Sequence, residues 1–120
     1  MAFEDCRGLE NITIPSSVTE INEWVFKGCI RLKSVIISNG VTKIREGAFE
    51  DCTSLENITI PDSVTEIGYG IFSDCTNLTN ITIPDSVTKV GNSVFYNCKN
   101  IKVTYKGKTY DYENIDERYI

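Results

Sequence analysis

Apolar positions recur along this chain with a constant step of 23 residues. Phe3, Phe26, Phe49, Phe72 and Phe95 keep the step, as do Cys6, Cys29, Cys52, Cys75 and Cys98. Leu9, Leu32, Leu55 and Leu78 follow it too, with Ile101 in the next register. Shorter patterns nest inside the long one. In "NITI", Asn57 and Thr59 alternate with Ile58 and Ile60, the period of a half-buried strand with its isoleucines inward. Proline follows at Pro15, Pro61 and Pro84 and ends the strand, because it has no N–H to give to a ladder. "SVTEI" reads as a second short extended piece with Val64 and Ile67 inward. "GYGIFSDC" suits one turn of helix or 3-10 helix, which puts Phe72 and Cys75 on one face.

The step marks an internal repeat. "NITIPSSVTEI" from Asn11, "NITIPDSVTEI" from Asn57 and "NITIPDSVTKV" from Asn80 nearly copy one another. Four full units run from 9 to 100. Residues 1–8 read as the tail of a truncated unit, since "AFEDC" at Ala2–Cys6 returns at Ala48–Cys52. A unit this small cannot bury its own apolar residues, and stacking on identical neighbours solves that. The expected architecture is therefore a solenoid in one domain. A chain that starts in mid-unit without a polar cap is expected to be a piece of a longer array, with Met1 supplied for expression.

Stacked strands lie about 4.8 Å apart, so equivalent residues form columns. One column reads Glu20, Lys43, Glu66, Lys89, and another Glu10, Lys33, Glu56, Thr79, Lys102. Alternating signs cancel any net field, so these columns are expected to be inter-repeat pairs on a solvated face rather than a charged binding stripe. The second unit departs from the others: "SNG" at Ser38–Gly40 places an Asn-Gly turn signal where its neighbours have proline.

Beyond Asn100 the pattern changes. "IKVTYKGKTYDY" alternates Ile101, Val103 and Tyr105 against Lys102, Thr104 and Lys106, and Lys106-Gly107 suits a two-residue hairpin loop. In "NIDERYI", Asn114 is the expected N-cap, with Glu117 at the capping-box position and Ile115 and Tyr119 at i,i+4. Residues 101–120 thus form a C-terminal cap of a hairpin and a helical turn. Four of the six tyrosines lie here, as expected of amphipathic rings covering an edge; an aromatic ligand platform is the sharper alternative.

Composition removes several classes of function. With 41% hydrophobic and 24% charged residues the chain is of ordinary globular composition. No apolar run approaches the ~20 residues of a membrane span, and the N-terminus lacks the basic-then-apolar pattern of a secretion signal. The net charge of −5, with 12 scattered basic residues against 17 acidic ones, makes nucleic acid and anionic membrane poor partners. There is no His, so the commonest general base is absent and so are imidazole metal sites. Five cysteines are an odd number, and side chains in a column point alongside one another rather than at each other. Zinc needs four ligands converging at about 2.3 Å, whereas this ladder spreads over roughly 19 Å. The thiols are expected to be buried and inert, their weak S–H donors serving local backbone. Asn11, Asn57, Asn77 and Asn80 each head an N-x-[ST] triplet, three of which follow from the "NIT" column and are expected to be structural. No constellation of base, nucleophile and oxyanion donor can be assembled, so no enzyme activity, metal or cofactor is expected.

The stretch "FEDCTSLENITIPDSVTEIGYGIFSDCTNLTNITIPDSVTKVG" (Phe49–Gly91) resembles the BspA-type leucine-rich repeats, and "VTYKGKTYDYENIDERY" resembles the tail that closes such arrays in bacteria. The resemblance implies a leucine-rich-repeat solenoid, a right-handed superhelix of 23-residue units with short parallel strands and single helical or 3-10 turns. It implies four leucine-rich repeats over 9–100, and a parent protein that is secreted or at the cell surface. It also implies adhesion to host or matrix proteins, other microbes or glycans, alongside the neighbouring repeats of the parent. Fold transfers well by such resemblance and partner poorly. Two readings follow: a non-enzymatic adhesion module, or a structural spacer that presents another domain.

Solenoids commonly bind through the face of their regular strands. Its outward columns here are Asn11, Ser34, Asn57, Asn80 and Thr13, Ile36, Thr59, Thr82. Variation concentrates elsewhere, at Asn22, Arg45, Gly68, Gly91, then Glu23, Glu46, Tyr69, Asn92, then Trp24, Gly47, Gly70, Ser93. Discriminating sites favour aromatic and Arg anchors. The candidate contact residues are therefore Thr13, Asn57, Thr59, Asn80 and Thr82 on the strand face, with Trp24, Arg45 and Tyr69 as anchors; Trp24 has the alternative role of covering the coil beside it.

Overall fold

The structure is a computed structural model describing residues 6–120. The start of the expected leading tail, with Phe3, lies outside the described residues. Each unit forms one coil with two short strands. These are β1 (Asn11–Ile14) and β2 (Glu20–Ile21), β3 (Ser34–Ile37) and β4 (Lys43–Ile44), β5 (Asn57–Thr59) and β6 (Glu66–Ile67), and β7 (Asn80–Ile83) and β8 (Lys89–Val90). The pairs are parallel and each residue meets its equivalent one repeat away: Asn11 beside Ser34, Ser34 beside Asn57, Glu20 beside Lys43, Glu66 beside Lys89. That register makes the chain a solenoid of stacked coils.

The motif residues explain the stacking one by one. Val41, Val64 and Val87 are fully buried, as are Leu32, Leu55 and Leu78. Phe26, Phe49, Phe72 and Phe95 stack ring on ring, with centroids 5.4 to 5.9 Å apart and planes within 13° of parallel. Such offset stacking adds to the burial of each ring. The polar letters of "SVT" serve the stack as well. Ser63 and Ser86 donate their hydroxyls to the carbonyls of Val41 and Val64 in the preceding coil, at 2.7 and 2.8 Å. Thr42, Thr65 and Thr88 donate their N–H to the carbonyls of Thr19, Thr42 and Thr65. In the second unit Gly40 has no hydroxyl to give, and its own N–H donates to Ser63 Oγ instead. Its φ of 123° and the collision that a Cβ there would make with the Ser16 carbonyl (2.7 Å) require glycine.

At the C-terminal end β7 pairs with β9 (Lys102–Tyr105), which turns back into β10 (Lys108–Asp111). Lys106 and Gly107 both have positive φ, the two-residue loop expected between them. A 3-10 turn (Glu117–Tyr119) completes the cap.

Four details differ from the sequence-based expectation. The turn segment of each coil is not a helical turn but a run of single turns. Cys75 N–H donates to Phe72 O and Ser73 N–H to Gly70 O, while the intervening Gly70, Phe72 and Asp74 donate to Asn92, Val94 and Tyr96 of the next coil. Amides shared between two coils cannot close a continuous helix. The cap's N-cap is Asp116, which accepts from Arg118 N, and not Asn114; Asn114 instead exchanges bonds with Asp111 in the preceding turn, and Glu117 makes no capping box. The charge columns hold their register, yet the lysines in them form none of the ion pairs among the described residues. Arg45 pairs with Glu20 and Arg31 with Glu10, because the longer fork of arginine reaches diagonally to a carboxylate in the adjacent coil. Finally, the first-strand face is not one continuous sheet: β1-β3-β5 and β7-β9-β10 are separate, whereas β2-β4-β6-β8 is unbroken.

Removing one column member tests the packing account. Leu55→Ala should lower unfolding stability by roughly 2–5 kcal/mol, read as a shift of the urea midpoint, because the sealed column leaves little room to collapse.

Candidate functional site

The strand face carries Thr13, Asn57, Thr59, Asn80 and Thr82, all exposed, with their inward neighbours Ile14, Ile58, Ile60, Ile81 and Ile83 buried. The alternation of the strands therefore presents a row of short hydroxyl and amide groups. One residue interrupts it. Ile36 stands in the threonine column with 60% of its surface exposed, an apolar knob flanked by Thr13 and Thr59. The sequence placed Ile36 in that column, but the candidate set passed over it in favour of its polar neighbours. The structure brings the five strand-face candidates together on one surface, divided between the two sheets.

The three candidate anchors have different fates. Trp24 lies against Gly47, where an added Cβ would collide with the indole ring, so it covers the adjacent coil. Arg45 is committed to its own chain. Its Nε donates to Glu20 Oε1 at 2.6 Å, a second nitrogen lies 2.5 Å from the same oxygen, and Glu23 lies 3.8 Å away. The hydrogen bond to Glu20 and the charge on that carboxylate raise the guanidinium pKa above its ordinary value. Tyr69 is the freest of the three, 59% exposed.

One of the variable columns, and the column just before the cysteines, share a left-handed backbone geometry. Trp24, Gly47, Gly70 and Ser93 all take positive φ, between 54° and 64°. Gly28, Asp51, Asp74 and Asn97 do the same, between 62° and 76°. Glycine, aspartate and asparagine are the residues that tolerate this left-handed region, which accounts for what stands before each of these cysteines. That restriction to Gly, Asp and Asn was the overlooked signal. Stacking in this column brings carboxylate oxygens of Glu50, Asp51 and Asp74 within 4.8 Å of one another, and Asn97 donates to Asp74 at 2.9 Å. Glu50 also faces Lys27 at 3.9 Å; burial, then the neighbouring carboxylates, push its pKa up against the opposing pull of that lysine.

Cys29, Cys52, Cys75 and Cys98 lie in the core, whereas Cys6 is half-buried. Cys52, Cys75 and Cys98 donate to the carbonyls of Phe26, Phe49 and Phe72 in the preceding coil at 3.1, 3.1 and 3.0 Å. Each therefore ties the cysteine column to the phenylalanine column. Desolvation pushes the Cys52 and Cys98 thiols up to about 12 and raises Cys75 in the same direction. Such thiols are neutral, poor nucleophiles.

Beneath the cap lies a cavity of about 450 Å³ lined mainly by Ile67, Ile83, Phe95, Val103, Tyr110 and Tyr119. Tyr105, in its wall, donates its hydroxyl to Val87 O at 2.7 Å, and outside the cavity the Tyr112 hydroxyl accepts from Asn97 N at 3.1 Å. Their hydroxyls thus serve the backbone of the last coil.

Comparison with known proteins gives the family. The model of the BspA type leucine rich repeat region matches residues 1–115 in six copies. The chain belongs to the BspA-type leucine-rich repeat family. Among solved structures it is similar to a T. pallidum leucine rich repeat protein, at 36% identity over 85% of this chain and 48% of that one, with a TM-score of 0.83. It is also similar to a leucine-rich repeat protein from Bacteroides ovatus, at 35% identity over 87% of this chain and 27% of that one, TM-score 0.80. The pneumococcal vaccine antigen PcpA matches at 28% identity over 82% of this chain and 31% of its own, TM-score 0.65. The chain thus spans half or less of the length of these relatives. No curated protein matches it.

Two predictions follow from this geometry. A Cβ at Gly47 meets both the Trp24 ring and a φ of 61°, whereas Gly8 has open space around it. Gly47→Ala should therefore lower the melting temperature clearly and Gly8→Ala should leave it unchanged, measured by calorimetry. The Cys52, Cys75 and Cys98 thiols set a pH dependence. Their folded pKa lies above the ordinary 9.0, so the stability they lend is complete below about pH 9 and is lost as pH rises toward about 12. Urea midpoints should fall across that window, and less steeply in a Cys52→Ala/Cys75→Ala variant.

Proposed function

We propose that the chain is a non-enzymatic interaction module of a bacterial surface or secreted protein, engaging a protein or glycan partner through its first-strand face. The observation that carries this reading is the exposed Ile36 set among threonine and asparagine side chains on the outward side of the first strands. Burying a large aliphatic side chain contributes about 1.5–3 kcal/mol, and the surrounding hydroxyls and amides supply hydrogen bonds at its rim. Family kinship with a pneumococcal vaccine antigen supports a surface setting. Tyr69, an aromatic residue, offers a second contact outside the strands.

A spacer role is the second reading, and a specific observation favours it: Arg45 and Trp24, two of the three candidate anchors, are spent on contacts within the array. Repeats of that kind extend a distant binding domain without binding anything themselves.

Titration of the chain against fibronectin, fibrinogen and a panel of host glycans by biolayer interferometry separates the readings. The interaction module gives saturable binding that Ile36→Asp and Thr59→Arg abolish while the melting temperature holds. Absence of binding across the panel, or binding indifferent to both substitutions, would count against the strand face.

A further inference from the structure

We infer that the solenoid has a built-in flexing step between its third and fourth coils, where the first-strand face is unlatched while the rest of the coil stays bonded. Pairing along this face covers four residues between β1 and β3, three between β3 and β5, and four between β7 and β9. Between β5 and β7 no ladder forms, although their coils are adjacent. The backbone bond that opens each of the other steps, Lys33 N to Glu10 O (2.7 Å), Glu56 N to Lys33 O (2.9 Å) and Lys102 N to Thr79 O (2.8 Å), has no counterpart from Thr79 N to Glu56 O.

The sequence accounts for one of the missing bonds. At the far end of the strands, Ser38 N–H donates to Ile14 O at 3.0 Å and latches the first step. The equivalent position is Pro15 in the first coil, Pro61 in the third and Pro84 in the fourth, and proline has no N–H to give to the preceding coil. The step from β3 to β5 lacks this bond, keeps its opening bond from Glu56 N to Lys33 O and retains a shortened ladder. The step from β5 to β7 lacks the bond at both ends, and it has no ladder at all. A cleft of about 320 Å³ occupies the place, lined by Ile58, Ile60, Ile81 and Pro84 together with Thr59 and Thr82.

Elsewhere the same two coils are held firmly. Glu66 and Ile67 pair with Lys89 and Val90, Gly91 N donates to Ile67 O at 2.9 Å, and Phe72 N donates to Val94 O at 3.0 Å. Cys98 Sγ reaches Phe72 O, and the Phe72 and Phe95 rings stack. Gly91 sits so close to the backbone of Gly68 and Tyr69 that any Cβ there would collide with it. A joint closed along the second sheet and the turns but open along the first strands can hinge without exposing the phenylalanine column. Such hinging widens or narrows the gap between the Thr59 and Thr82 rows, so a partner touching both rows would shift its equilibrium.

Hydrogen exchange on the whole chain tests this. After correction for intrinsic rates, the segment 79–83 should exchange at least about tenfold faster than the segment 33–37, a local opening well below the global unfolding energy. Pro84→Ser, which returns an N–H, should slow exchange at 79–83. Because Pro84 is buried, Ser38→Pro provides an independent arm: it removes the latch of the first step and should speed exchange at 33–37. Equal protection of the two segments in the unmodified chain, or a Ser38→Pro variant with unchanged exchange at 33–37, overturns the inference. Neither result would bear on whether the strand face binds a partner.

Discussion

Every coil of this protein depends on hydrogen bonds to the coil 23 residues away. A single coil has two strands of two to four residues and a string of turns; the strands have no partner within the coil, and the turns bond only part of their own backbone. The polar groups that would otherwise face the core are bonded upward and downward: threonine amides to threonine carbonyls, turn amides to the next turn, thiols to phenylalanine carbonyls. Buried polar groups without partners would cost more than the apolar columns return, so the columns and the bonds stand or fall together. Stability is then a sum over neighbouring coils, and each substitution acts on the interface it touches.

Function rides on what this requirement leaves unspent. Inward residues are fixed by packing, glycines and aspartates by backbone φ, and Arg45 and Trp24 by contacts across coils. What remains free is the outward row of the first strands and a few exposed side chains, chiefly Ile36 and Tyr69. An array built this way offers a surface rather than a pocket of chemistry. The proposed strand-face contact would draw its specificity from deviations out of the repeat, and Ile36 among the threonines is such a deviation.

The repeat made most of the fold legible from residues alone. Period two in "NITI" and the 23-residue step gave strands, faces and register correctly, because both follow from alternation and from the need to hide Phe, Leu and Cys. The Lys106-Gly107 hairpin was equally plain from its turn chemistry. What escaped was set by bonds between coils. Helix-like spacing between Phe72 and Cys75 is real, yet the amides between them are shared with the next coil. The lysines of the charge columns hold their places, but arginines make the pairs. The column Trp24, Gly47, Gly70 and Ser93 resembled recognition and proved to share one left-handed backbone conformation, which accounts for its two glycines. Proline was read as a strand stop within one coil; the bond it withholds is one to the preceding coil.

The most direct test of the stacked-coil account is the pattern of nuclear Overhauser contacts among the phenylalanine rings in solution. Coaxial coils require Phe49 ring protons to contact both Phe26 and Phe72, and Phe72 to contact both Phe49 and Phe95, with no direct contact between Phe26 and Phe95. A Phe26–Phe95 contact, or a Phe49 ring that meets neither neighbour, would mean the chain collapses into a common core instead of a stack.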